Sequence, residues 1–308
     1  MDRRSVQTPS SVVMVRPHYF SPNKETANDN AFQQNVDGLD ATQIAKAAYE
    51  EVTHAAEQLN FTGIKTHIFE DETRLTPDSV FPNNWFSTHS GGHVAIYPMF
   101  AENRRLERRT DVIDMLKTNY RVQDVIDYSG LEHDGLFLEG TGAMVLDHNE
   151  RVAYAVSSNR TNQVILERFC THFNYEPMVF DAVDTGGLPV YHTNVLMCIA
   201  TDFVLIGLDM IADVRRHEEI VQRFEASGRD VIGLTNDQVS NFAGNAIELY
   251  GNGRRVLVLS SRALKSLTNE QIKRIESSAQ ILALDVPTIE YAGGSVRCML
   301  AGVHLSPR

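Results

Sequence analysis

Cys298 lies in the segment Gly293-Gly294-Ser295-Val296-Arg297-Cys298-Met299. A cysteine thiolate can attack an electrophilic carbon when a base and an orienting acid come close to it in the fold. The paired glycines just upstream allow the backbone to approach a ligand closely. The bland reading of a lone cysteine is a small buried hydrophobe. Cys198, inside Leu196-Met197-Cys198-Ile199, and Cys170, next to Phe169, fit that reading. Of eleven histidines, His192 in Pro189-Val190-Tyr191-His192-Thr193-Asn194 stands at the mouth of an apolar hairpin. Glu139, in Leu138-Glu139-Gly140-Thr141-Gly142, occupies the same place one unit earlier. An ionisable group among glycines and apolar residues is more informative than a surface glutamate. Arg104, Arg105, Arg108 and Arg109 form a basic cluster. It reads either as a solvated helix start or as a carboxylate clamp, since arginine grips carboxylates in a bidentate fork. His89 and His93 are four apart, but His93-Val94-Ala95-Ile96-Tyr97 reads as strand, so no shared zinc is expected. No CxxC, P-loop or GxGxxG occurs.

The elements that must position these residues recur. Apolar stripes at helical spacing begin near Asp40, Arg109, Arg160, Val214 and Thr268, at intervals of 69, 51, 54 and 54 residues. Asp40 with Gln43, and Thr268 with Gln271, read as capping boxes. Between helices lie paired apolar runs with turn signals: Ala143–Leu146 with Val152–Val156, Val195–Ile199 with Val204–Leu208, and Ile247–Leu249 with Val256–Leu259. A lone strand follows each helix, at Ile64–Phe69, Val122–Ile126, Met178–Phe180, Val231–Leu234 and Ile281–Leu284. The unit is strand, strand, helix, strand. Repeats of this length stack or close into a ring; one α/β sheet with insertions is the other reading. In a ring, Cys298, Glu139 and His192 share one structural phase, facing a central channel.

The rest of the chain limits the function classes. There are 308 residues, 28 basic and 40 acidic, for a net charge of −12. That disfavours nucleic acid and anionic membranes as partners, which need clustered cations. No apolar run reaches the roughly 18 residues of a membrane span. The start, Met1-Asp2-Arg3-Arg4-Ser5, has no signal-peptide apolar region. Three cysteines do not form a disulfide framework, so a reducing, cytoplasmic setting is expected.

Six segments, in order, resemble one known family: Val13-Met14-Val15-Arg16-Pro17, Pro77-Asp78-Ser79-Val80-Phe81, Leu138-Glu139-Gly140-Thr141-Gly142, Ser158-Asn159-Arg160-Thr161-Asn162, His192-Thr193-Asn194 and Gly294-Ser295-Val296-Arg297-Cys298-Met299. They are similar to the guanidino-group-modifying superfamily of arginine deiminases, dimethylarginine dimethylaminohydrolases and amidinotransferases. The branch most resembled is the citrulline-utilisation hydrolase type. The resemblance runs from about Val12 to about His304. It implies an α/β fold, the five-bladed pseudosymmetric propeller (pentein) of ββαβ repeats. Residues 12–308 would form one catalytic domain behind a flexible N-terminus, 1–11. It implies Cys298 as nucleophile, His192 as acid/base and Glu139 as the assisting carboxylate. Asp78 would position substrate. Arg160, with Arg104 or Arg105, would hold an α-carboxylate.

The sequence departs from the family pattern twice. Asn83 and Asn84 stand where many relatives carry an acid, and Asn194 where arginine deiminases carry aspartate. Asparagine keeps the shape, drops the charge and offers both donor and acceptor. A neutral ureido group suits it, whereas desolvated carboxylates would lack a cation. The expectation is therefore a hydrolase that needs no cofactor and no metal and converts citrulline to ornithine, carbon dioxide and ammonia through a Cys298 intermediate. Its partner would be a small amino acid, and a homo-oligomer is admitted. Hydrolysis of arginine or a methylated arginine is the rival reaction. A non-catalytic pentein that only binds is the rival of another class.

Overall fold

Runs rich in Val and Ile favour strands because β-branched side chains pack well on a pleated surface. In the computed structural model, which describes residues 6–27, 30–36, 38–184 and 186–308, these runs build five separate three-stranded sheets. Four are contiguous in sequence: Phe86–His89, His93–Ile96 and Asp124–Asp127; Met144–Asp147, Val152–Val156 and Glu176–Phe180; Met197–Ile199, Phe203–Ile206 and Asp230–Gly233; Ile247–Gly251, Arg254–Ser260 and Gln280–Leu284. In each, the first two strands pair antiparallel and the third returns parallel to the second. A parallel return needs a crossover. Helices supply it at Thr110–Asn119, Gln163–Phe173, Val214–Ala226 and Asn269–Glu276.

The fifth sheet joins the two ends of the chain. Ser11–Pro17 runs parallel to Lys65–Asp71 across the helix Ala41–Phe61. Its other edge takes Ala301–Gly302, with Val12 opposite Gly302 and Val13 opposite Ala301. That pairing closes the ring, and the molecule is a five-bladed α/β propeller.

Caps set the helix starts. The Asp40 side chain accepts from the Thr42 and Gln43 amides, and Thr268 with Gln271 forms the full reciprocal box. The helix Gln163–Phe173 starts three residues later than its apolar stripe suggests, because Asn162 caps it by accepting from Val164 N–H. Ile44, Ala48, Val52, Ala55 and Leu59 of the first helix are buried against the sheet. Each fully buried aliphatic side chain of Val or Leu size contributes about 1.5–3 kcal/mol. Among the described residues, no helix is long and apolar enough to cross a membrane.

Two expectations need correction. Val195 and Leu196 are not strand but a helical turn, Thr193–Leu196. Short apolar runs read alike as buried helix or strand. Residues 7–11, expected to be loose, are packed, while residues 1–5 lie outside the described residues. The Gln7 amide donates to the carbonyls of Leu146 and Ile199, each at 3.0 Å, and its oxygen accepts from His148 N–H at 2.8 Å. It thereby stitches two blades together. Polarity was misleading here because the partners are backbone groups that a polar side chain must satisfy.

Candidate active site

A short turn precedes the first strand of every blade: Pro82–Asn84, Gly140–Ala143, Thr193–Leu196, residues 241–245 and Val296–Met299. These turns pack against one another at the middle of the ring. They bring Asn84, Glu139, His192, Asn194 and Cys298 together from blades far apart in sequence. Asp78, Asn84, Arg104, Arg160, His192 and Cys298 line one cavity there.

Cys298 is 3% exposed, and its Sγ lies 3.3 Å from two amide nitrogens, Nδ2 of Asn194 and Nδ2 of Asn245. His192 Nε2 is 2.8 Å from Glu139 Oε2, so the neutral ring donates there and leaves Nδ1 as its acceptor. Burial pushes His192 down to about 4, against the pull of the Glu139 hydrogen bond and charge. Glu139 is fully buried, and its other oxygen accepts from Phe100 N–H at 3.0 Å. Burial would raise its pKa, but Arg160, His192 and Arg104 outweigh it and hold the carboxyl well below the usual range. Arg160 Nη1 is 3.5 Å from Glu139 Oε2, and its guanidinium lies over the Tyr191 ring.

Arg104 is gripped by Glu107 through Nε at 2.9 Å and Nη2 at 3.0 Å. Its Nη2 also donates to Asn84 Oδ1 at 3.4 Å. That fixes the Asn84 amide with Nδ2 turned the other way, buried and without a partner. Asn194 Oδ1 is likewise buried and unpartnered. Asp78 accepts from Asn23 Nδ2 at 2.8 Å through one oxygen; the other, Oδ1, has no partner, and burial raises the pKa of the carboxyl.

Not every candidate gathers here. Arg105 donates to the carbonyls of Met99 and Phe100 and approaches Glu132, so the structure does not bring it to the cavity. Asn83 is fully buried behind Asn84, with neither amide atom partnered. The basic cluster divides: Arg104 faces the site, whereas Arg108 pairs with Glu132 and Arg109 with Asp111. The glycines before Cys298 make room for protein rather than ligand: a Cβ on Gly293 would lie 2.4 Å from Asn30 Nδ2, and one on Gly294 2.7 Å from the Phe81 ring. His89 and His93 face each other across a hairpin but bond apart, to Ser87 and Asp124. Among the described residues, no group of three or more His, Cys, Asp or Glu is placed to hold a metal ion. The sequence reading missed Asn245, Asn23 and Glu107. Asn245 had a signal: it precedes Ile247–Gly251 as Asn84 precedes Phe86–His89.

Gly142 provides a test of how tightly the turns are set. A Cβ there would stand 2.1 Å from Asn84 Nδ2 and 2.9 Å from His192 Nδ1. Gly142→Ala must displace one of them. Misplacing a reacting group by 1 Å costs about 10²-fold in rate, so kcat should fall by that order while thermal unfolding shows a folded protein. Unchanged kcat would show that neither side chain needs its present position.

The sequence matches the profile of the eukaryotic N,N-dimethylarginine dimethylhydrolase family over residues 16–305. No curated protein is significantly similar in sequence. Solved structures are similar in fold. The N-terminal domain of ArgZ, a cyanobacterial arginine dihydrolase, superposes in its substrate-bound form with a TM-score of 0.71 at 15% identity, over 95% of this chain and 97% of that one. AgrE bound to L-arginine gives 0.73 at 15% identity over 97% of this chain, which spans 40% of AgrE. A dimethylarginine dimethylaminohydrolase variant, as its adduct with S-methyl-L-thiocitrulline, gives 0.63 at 15% identity over 96% of this chain and all of that one.

Proposed function

The chain belongs to the N,N-dimethylarginine dimethylhydrolase family, within the guanidino-modifying penteins and their carbon–nitrogen hydrolases, and from that premise we propose that it hydrolyses the ureido group of citrulline. The observation that carries this reading is a pair of buried, uncharged, unpartnered atoms: the donor Asn84 Nδ2, on a residue that lines the cavity with Cys298, and the acceptor Asn194 Oδ1, whose amide nitrogen lies 3.3 Å from Cys298 Sγ. A buried polar atom without a partner costs about 1–3 kcal/mol. A ureido carbonyl and a ureido N–H satisfy both. Arg160 takes the substrate α-carboxylate, and Asp78 Oδ1 takes the α-ammonium.

In the proposed reaction His192 Nδ1 accepts the Cys298 proton, and Glu139 stabilises the imidazolium. The thiolate attacks the ureido carbon. The tetrahedral intermediate collapses with breakage of the bond to the ornithine nitrogen, which takes its proton from His192. Ornithine leaves an S-carbamoyl enzyme. His192 then deprotonates water, which attacks the carbamoyl carbon and expels the thiolate. The carbamic acid released breaks down to carbon dioxide and ammonia. Proton transfer by a positioned histidine contributes about 10²–10⁴-fold.

Arginine is the second reading, favoured by Asp78, whose unpartnered oxygen would equally meet a guanidinium. Asn84→Asp separates the two. It restores a charge at the cavity without touching Cys298, whereas Asn194→Asp would also set a carboxylate against the sulfur. Asn84→Asp should lower kcat/KM for citrulline by at least about tenfold, since a mismatched buried charge costs about 2–5 kcal/mol. It should tighten the Kd for arginine, and adding Asn194→Asp should extend the shift. A wild type that prefers arginine, or a ratio between the two ligands that does not move, would remove the asparagines as the selectivity determinant.

A further inference from the structure

Asn245 comes from the fourth blade, and none of the ionisable residues lining the cavity does. It is fully buried, and its amide is held on both sides by backbone. Oδ1 accepts from Arg297 N–H at 3.1 Å, and Nδ2 donates to the Asn194 carbonyl at 2.9 Å. Turning the amide over would set oxygen against that carbonyl and NH₂ against that N–H, two repulsive contacts. The orientation is therefore fixed, and Nδ2 must face Cys298 Sγ, 3.3 Å away. Gly244 makes the approach possible: a Cβ there would lie 2.6 Å from the Val195 carbonyl oxygen, so only glycine lets the fourth turn pack onto the third.

Asn194, the other amide at the sulfur, has no such restraint, because its Oδ1 lacks a partner. The two asparagines thus divide the work. Asn194 can reorient toward substrate, and Asn245 cannot.

We propose that Asn245 is a positioning residue that holds Cys298 in the attacking geometry and favours its thiolate. A neutral thiol gains little from two N–H donors, because its sulfur is a weak acceptor. A thiolate gains charge-assisted hydrogen bonds from both, and hydrogen bonds to the charged form lower an acid's pKa. The amide also links Cys298 to the turn that carries His192 and Asn194, so the nucleophile and its base stay in register.

The proposal rests on the reading of Cys298 as nucleophile, and the test separates the two. The rate of carbamidomethylation by iodoacetamide would be followed against pH on the full-length protein, with peptide mapping of Cys298, Cys170 and Cys198. Asn245→Asp keeps the acceptor for Arg297 N–H but turns an anionic oxygen toward the sulfur. Its Cys298 alkylation midpoint should rise by about one pH unit or more, and kcat should fall at least about tenfold with KM little changed. Asn245→Ser, which retains a hydroxyl donor, should fall between Asn245→Asp and wild type; it serves alone if Asn245→Asp does not fold. A midpoint equal to wild type in the folded variant, even with lower kcat, would make Asn245 a packing residue only and overturn the proposal. Wild-type Cys298 reacting no faster than Cys170 and Cys198 would overturn the nucleophile reading and this proposal with it.

Discussion

Replacing Cys298 with serine is expected to leave a folded protein that turns over substrate at least about 10⁴-fold more slowly. Serine differs from cysteine by a single heavy atom and keeps a polar group at the position, so thermal unfolding should move little. What is lost is the anion. A thiolate is accessible near neutral pH, and an alkoxide is not. Cys170→Ser and Cys198→Ser supply the contrast. Burial pushes both of those thiols up to about 12, and neither reaches the cavity. Their loss should affect stability alone. The measurement is kcat for ornithine release in the three variants, and activity in Cys298→Ser at a tenth of wild type would remove the residue from its role.

Glu139→Gln should be nearly as damaging, for a reason of tautomers. The carboxylate accepts from Phe100 N–H on one oxygen and from His192 Nε2–H on the other. Glutamine has one oxygen for two donors. Once it accepts from Phe100, its NH₂ faces His192 Nε2 and turns that nitrogen into the acceptor. The ring then carries its proton on Nδ1, where the base is needed. The substitution also removes a charge held between Arg160 at 3.5 Å and Arg104 at 3.9 Å. Locking a catalytic histidine in the wrong tautomer costs about 10⁴-fold in the serine-protease triad, and a loss of about 10³–10⁴-fold in kcat is expected here. Circular dichroism and thermal unfolding establish that the variant folds. A kcat within tenfold of wild type would mean that Glu139 does not orient His192.

Much of this arrangement was legible in the sequence, because its repeat makes position in the unit equivalent to position in the ring. Glu139, His192 and Cys298 each fall just before or within the turn that opens a blade, and those turns converge. The fifth sheet was not legible in the same way. Its edge strand, Ala301–Gly302, is two residues long, and its partner, Ser11–Pro17, lies at the other end of the chain. No local pattern specifies that pairing. Arg104 and Arg105 are adjacent and chemically identical in sequence, yet one is buried at the cavity with Glu107 and the other is held by the carbonyls of Met99 and Phe100. The direction of a side chain leaving a 3₁₀ turn, here Asn103–Glu107, decided between them. Asn245 was passed over because asparagine before a strand is ordinary turn chemistry. Only its two backbone partners and the nearby sulfur distinguish it.

The central claim is that Cys298 takes a carbamoyl group from citrulline and releases ornithine. Acid-quenching the enzyme during turnover, followed by peptide mass mapping and amino-acid analysis, tests it most directly. The account predicts a transient carbamoyl group on Cys298 alone, ornithine formed from citrulline, and ammonia released in equal amount. With arginine in its place, turnover should be slower. An adduct on another residue, or citrulline returned unchanged while arginine is consumed, would contradict it.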